Sequence, residues 1–270
     1  MMNDTTAKRK PLLELREVSK TFLKDGAEAR VLEKVNLTID EGEFVCILGP
    51  TGCGKSVTLQ IVAGLLEQSS GSVLLDGKEE RGPGPHKGMV FQEYALLPWR
   101  SVIENVELGL ELKGLPKKER RRIALEQLDI VGLRGSEHAS VHEISVGMRQ
   151  RAAIARALAN HPRILLMDEP FEALDALTKE EMQVQILKAW QKTRTTIFFV
   201  THDVDEAIFL SDKICVMDIN PGKVKKMLAN PLPRPRHETV CRTDPAFAAM
   251  RDEIIRLYSS LRDDELDLVF

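Results

Sequence analysis

The chain has 270 residues, of which 43% are hydrophobic and 29% charged, the proportions of an ordinary soluble globular protein with one large domain or two small ones. Its net charge of −3 excludes a broad electrostatic claim on nucleic acid. The opening MMNDTTAKRK leads into Pro11, not a signal-peptide core, and no apolar run reaches the ~20 residues of a membrane span, so a place in the cytosol, free or held at a membrane by partners, is expected.

In chain order, residues 12–18 and 31–39 alternate apolar and polar side chains as half-buried strands do. Glu41-Gly42 turns the chain into Glu43-Phe44-Val45-Cys46-Ile47-Leu48, an apolar run that predicts a buried strand. Residues 49–56 then read GPTGCGKS, a complete G-x-x-x-x-G-K-S phosphate-binding loop, and Val57 to Leu65 reads as a helix. Strand, loop and helix in that order aim unpaired N–H groups and the helix dipole at an anion. Gly49, Gly52 and Gly54 let the backbone curl round phosphate oxygens, with Pro50, Thr51, Cys53 and Val57 completing the cradle. Lys55 supplies a point charge for the β- and γ-phosphates, and Ser56 a hydroxyl for Mg2+. The expected ligand is a nucleoside triphosphate.

Val73-Leu74-Leu75 and Met89-Val90-Phe91 are further short strands around the proline- and glycine-rich stretch 82–88. From about Glu93 to Asn160 the texture turns helical, with Ile123, Leu125, Leu128 and Val131 recurring among charges, which predicts a helical insertion over about 93–161. Ile164-Leu165-Leu166-Met167 has the unbroken apolar character of a central parallel strand. Met182, Ile186 and Trp190 share a helix face, and Ile197-Phe198-Phe199-Val200 is a second buried strand ending at Thr201-His202. Alternating strands and helices point to a parallel sheet covered on both faces.

Residues 231–270 differ from the 1–230 domain before them. Pro231, Pro233 and Pro235 predict an extended connector, and Asp244-Pro245 an N-cap followed by the first helical residue. Phe247, Met250, Ile254, Leu257 and Leu261 form an apolar stripe, too short for a coiled coil and therefore expected to dock on the parent domain. The four cysteines, at 46, 53, 215 and 241, have no metal-ligand spacing and suit a reducing compartment.

A phosphate loop alone does not choose between kinases, GTPases, helicases and transport ATPases. Met167-Asp168-Glu169 ends its strand in two carboxylates, Asp168 placed to hold Mg2+ and Glu169 to polarise an attacking water. Gln92, after Met89-Val90-Phe91, can ligate Mg2+ through its carbonyl and orient water through its amide. His202 can hydrogen-bond a γ-phosphate and respond to its loss, although a lone histidine after a strand is more often structural.

Residues 144–151 read ISVGMRQR and precede an alanine-rich helix, Ala152 to Leu158. This segment resembles the LSGGQ-x-QR signature of ABC-type ATPases, and the order of Phe22, GPTGCGKS, Gln92, the signature, Asp168-Glu169, Asp175 and His202 is similar to that family over residues 12 to about 228. The resemblance implies an α/β P-loop NTPase: a RecA-like core with a parallel sheet, an antiparallel β edge and a helical ABC subdomain, plus a C-terminal helical tail. It also implies a head-to-tail dimer in which Ser145 and Gly147 of one chain contact ATP held by the other. In that picture Phe22 stacks on the base and Asp175 couples the two sites. Three positions depart from the pattern: Val146 for the first signature glycine, which restricts φ, Met148 for glutamine, and Val57 for a Ser/Thr. The expected result is an active ATPase with a weakened closed state.

Glu93-Tyr94-Ala95-Leu96-Leu97-Pro98-Trp99-Arg100-Ser101-Val102 is similar to a stretch of the importer ATPases for nitrate, sulfonate and taurine. In those proteins it cups a coupling helix of the permease; the alternative here is that Trp99 belongs to the core of the insertion. Pro170 to Thr178 and Leu232-Pro233-Arg234-Pro235-Arg236 carry the same resemblance, with Glu172 where a small residue is usual. The expectation is an ATPase subunit of a small-solute importer at the cytoplasmic face of the inner membrane. Its implied partners are transmembrane permease subunits, an extracytoplasmic solute-binding protein acting indirectly, and a second ATPase subunit, identical or similar, without nucleic acid. The competing readings are an ABC subunit that binds ATP without efficient turnover, and a non-transport ABC ATPase.

Overall fold

A computed structural model describes residues 10–24, 26–236 and 241–266, with side chains described to residue 259. Two long strands, β1 (Pro11–Lys24) and β2 (Ala27–Asp40), pair antiparallel and extend the expected 12–18 and 31–39 into one hairpin. With β4 (Ser70–Leu75) and β5 (Lys78–Glu79) they form a four-stranded antiparallel sheet in the order β2-β1-β4-β5.

The main sheet contains β3 (Phe44–Leu48), β6 (Lys87–Val90), β7 (Ile164–Asp168), β8 (Thr196–Thr201), β9 (Lys213–Met217) and β10 (Val224–Ala229), in the order β10-β9-β3-β8-β7-β6. All its pairings are parallel except β9 with β10. Successive residues of its central strands face opposite ways. Val45, Ile47, Ile164, Leu166, Phe198 and Val200 meet α1 (Lys55–Ala63) and the antiparallel sheet. Phe44, Cys46, Leu165, Met167, Ile197 and Phe199 belong to the core beneath the remaining helices. Apolar side chains on both faces explain why these strands read as unbroken hydrophobic runs.

The helical insertion comprises α2 (Val102–Leu112), α3 (Lys117–Ile130) and α4 (Val146–Ala159). Residues 93–101, expected to be helical, form a loop; α2 begins only where Ser101 and Glu104 close a capping box. Likewise α4 starts at Val146 and takes in most of the signature, because Ser145 caps it. Helix α1 runs two residues ahead of the expected Val57–Leu65 and stops at left-handed Gly64, whose N–H reaches the Gln60 and Ile61 carbonyls.

Helices α5 (Ala176–Thr193) and α6 (Val204–Leu210) complete the core, α5 burying Met182, Ile186 and Trp190. The proline connector then leads to α7 (Pro245–Leu266), whose Phe247, Met250 and Ile254 are buried in the same core. Leu257 packs partly against it, and the side chain of Leu261 lies outside the described residues. Ion pairs from Lys226 to Glu253 (2.7 Å) and Arg251 to Asp205 (3.0 Å) flank the docked helix. All four cysteines are buried and unpaired.

Candidate active site

Parallel register gathers the chemistry on one edge. Leu48 pairs with Thr201, Asp168 with Val200, and Val90 with Met167, so the turns after β3, β8, β7 and β6 all open at the same strand ends. In an open α/β sheet, that edge is where ligands bind.

The loop after β3 reaches α1 through Gly54, whose φ of 91° is a left-handed conformation that glycine adopts without a Cβ penalty. Lys55 is 6% exposed, and its Nζ donates to the carbonyls of Gly49 (2.8 Å) and Pro50 (3.1 Å). Ser56 Oγ donates to Asp168 Oδ1 at 2.9 Å, tying the loop directly to the acidic strand. Burial pushes the Asp168 carboxyl above its ordinary value, the Ser56 hydrogen bond pulls it down, and the charge of Glu169 raises it again. A partly desolvated carboxylate beside a hydroxyl is a hard-oxygen donor set that fits Mg2+.

Glu169 has a φ of 41°, an uncommon conformation for a residue with a side chain, and its N–H donates to the Val200 carbonyl at 3.1 Å. Its Oε2 lies 2.9 Å from His202 Nδ1, while Oε1 lies 3.8 Å from Lys55 Nζ. The turn that follows closes with Glu172 N–H donating to the Glu169 carbonyl (3.2 Å). Glu172 thereby returns to the same edge, where ligand atoms of Glu169, Glu172 and His202 lie within 4.8 Å of one another. Gln92 Nε2 donates to Glu172 Oε2.

These groups border an open pocket of about 490 Å3 lined by the phosphate loop, Glu169, Glu172, His202 and Val31. Thr51, Gly52, Gly54, Lys55, Ser56 and Val57 line it directly. Asp168 joins it through Ser56 and Gln92 through Glu172, whereas the fully buried Cys53 side chain faces the core behind the loop. Phe22 is not brought to the pocket wall: it pairs with Ala29 in the hairpin, under the Lys20 ammonium (4.9 Å from the ring centre), and Val31 lines the pocket instead.

Ser145 and Gly147 likewise do not line this pocket. Ser145 caps α4 by accepting from the Met148 N–H (3.2 Å), and Asp175 caps α5 by accepting from Thr178 N–H (3.0 Å) and Oγ1 (2.7 Å). A Cβ built on Gly147 would lie 2.8 Å from Thr178 Cγ2, so a larger residue there would have to displace that methyl group. The φ restriction expected of Val146 has no consequence within α4. Val146 occupies the first turn of α4, whose backbone suits a valine, and its side chain is 41% exposed. Arg156 of α4 donates to the carbonyls of Ala95 (2.5 Å) and Tyr94 (3.1 Å), linking the signature helix to the loop after Gln92. Trp99 in that loop is 76% exposed and is not core.

The sequence reading did not assign Val31, Glu172 or Thr178 to the site. Glu172 carried a signal, its departure from the small residue usual at that place; Val31 and Thr178 carried none, since only folding brings them near.

Residues 32–172 match the ABC transporter family. The chain is 43% identical over 259 residues to the bicarbonate transport ATP-binding protein of Synechococcus elongatus, covering 94% of this chain and 93% of that protein. It is 41% identical over 262 residues to the nitrate import ATP-binding protein of a Synechocystis strain, covering 95% and 98%. Its fold is similar, with a TM-score of 0.72 and 34% identity, to a dimeric ATP-binding cassette in a post-hydrolysis state bound to ADP and Pi, covering 82% of this chain and 100% of that one.

Proposed function

Because this chain belongs to the ABC transporter family and is an ATP-hydrolysing cassette, we propose that it powers an importer for a small solute of the nitrate, sulfonate or taurine kind. The observation that carries the reading is the shared edge where the Ser56–Asp168 hydrogen bond stands beside the Lys55–Glu169–His202 cluster. On this reading the phosphate loop binds the triphosphate, Lys55 leaving its loop carbonyls for the β- and γ-phosphates. Ser56, Asp168 and Gln92 would hold Mg2+, which when bound neutralises phosphate charge. Glu169 takes a proton from the water that attacks the γ-phosphorus, as the bond to the β-phosphate oxygen breaks to give ADP and phosphate. His202, bonded to Oε2, orients that carboxylate and leaves Oε1 on the Lys55 side.

The nucleotide is completed by Ser145 and Gly147 of a second copy or a similar subunit, so ATP closes the pair and hydrolysis reopens it. The hydrolytic core spans 1–230, with about 93–161 as the coupling subdomain and 231–270 as a connector and helix. Trp99 meets a coupling helix of the permease: it stands exposed beside the Arg100–Glu111 ion pair. Among the described residues no helix is long and apolar enough to cross a membrane, so attachment to the cytoplasmic face runs through permease subunits, with an extracytoplasmic binding protein delivering solute to them. Relatives named for bicarbonate and nitrate support a small-solute importer.

The test is reconstitution with the transporter's own permease in vesicles. Trp99→Ser is expected to abolish permease-stimulated turnover while leaving the turnover of the isolated subunit intact. Stimulation that persists in the variant would remove Trp99 from the coupling surface.

A further inference from the structure

Two acids, Glu169 and Glu172, and one ammonium group, Lys55, face the pocket among its described lining residues. Glu169 has a partner in His202; Glu172 spends its Oε2 on the amide of Gln92. That pairing has a chemical consequence. An ionised carboxylate only accepts hydrogen bonds, so it must take the NH2 end of the amide. The carbonyl of Gln92, the end that can ligate a hard cation, is therefore turned away from Glu172. A serine or alanine at 172 could not enforce this choice from the same backbone position, because neither carries a long anionic acceptor.

Glu172 also adds a negative charge to a pocket that must accept a polyanion. With its ligand atoms inside 4.8 Å of those of Glu169 and His202, it stands where the terminal phosphate has to be neutralised. A bare triphosphate meets that charge as repulsion, and a cation-loaded one meets it far less. We propose that Glu172 is a positioning residue that makes this subunit discriminate Mg2+-loaded ATP from free ATP, by orienting the Gln92 carbonyl and by raising the cost of binding an uncompensated triphosphate. The assignment rests on the nucleotide-site reading above and deepens it.

The experiment titrates a fluorescent ATP analogue onto the purified subunit, once in excess Mg2+ and once in EDTA. Glu172→Ser is expected to tighten binding in EDTA and to cut the ratio of the two affinities about two- to fivefold, the range of a solvent-exposed charge interaction. In the nucleotide-free protein, the amides of residues 91–96 should exchange with deuterium faster once the Glu172 anchor is gone. The isosteric Glu172→Gln removes the charge without the volume and should also lower the ratio. An unchanged affinity ratio in both Glu172 variants would overturn the proposal. Lys55→Ala separates the layers: wild-type ATP binding by that variant sinks the nucleotide site itself. Loss of binding there, with a parental ratio in Glu172→Ser, sinks only the role of Glu172.

Discussion

Glu169 occupies a left-handed backbone position that costs about 1–3 kcal/mol, and three contacts hold it there: its N–H on Val200, Oε2 on His202, and Oε1 toward Lys55. Such strain is kept where a side chain must point in one direction. Glu169→Gln preserves the shape and removes the proton acceptor, so turnover should fall by about 10²–10⁴ while ATP still binds. Phosphate release at saturating ATP, set beside nucleotide affinity, checks both halves. A parental turnover number would take Glu169 out of the reaction. The pairs Lys55–Ser56 and Asp168–Glu169 were legible because phosphate chemistry needs those groups at a strand end followed by a helix. The restricted φ of Val146 costs nothing in this chain: a glycine in a motif suggests a special φ, but here the position is ordinary helix.

Among the elements, the strands of the main sheet were legible because burial on both faces writes an unbroken apolar run. The start of α7 was legible in Asp244-Pro245, but those of α2 and α4 were not read, because a cap is defined by which N–H a side chain meets, as Ser101 and Ser145 do here. The proline connector is more than a spacer. Arg236 is 8% exposed and donates to the carbonyls of Ile208 (3.1 Å), Phe209 (2.9 Å) and Ser211 (2.7 Å) at the end of α6, and to Leu232 (3.2 Å). Burial lowers its pKa to about 10. Arg234 adds a bond to the Leu210 carbonyl (2.6 Å) and lies over the Trp190 ring at 4.4 Å. The last carbonyls of a helix have no partner within it, and here a pair of arginines supplies one. Arg236→Ala should therefore cost about 2–4 kcal/mol and lower Tm by about 5–10 °C. Arg236→Lys should recover only part, since an ammonium cannot reproduce the planar fork. Thermal unfolding of the two variants measures this, and an unchanged Tm would make the connector a passive strap.

For the whole molecule, the decisive feature is an incomplete pocket. The phosphate loop and its acids stand on one edge, while Ser145 and Gly147 lie outside the lining and pack instead toward Thr178 and the Asp175 cap. On the proposed reading, a head-to-tail pair would hold two complete sites, each made from a loop of one chain and a signature of the other. Lys55→Ala and Ser145→Ala proteins should each be inactive alone. Mixed in equal amounts they should regain turnover, up to about a quarter of the parent value, because half of the dimers carry one intact composite site. No recovery at concentrations where the parent dimerises with ATP would exclude a shared site.

The amino-acid sequence by itself determined the class of chemistry, because a phosphate loop and a two-acid strand end are written in contiguous residues whose spacing reports their roles, and the segment 144–151 resembles a family signature. It also determined the layered α/β architecture, since buried parallel strands leave an unmistakable apolar run. Tertiary structure alone decided what Glu172 touches, how closely Gly147 lies against Thr178, that Trp99 faces solvent, and that two arginines staple the connector to α6. These contacts join residues that lie far apart along the chain or on different elements. Local periodicity is silent about such partners, and only the packing of finished elements brings them together.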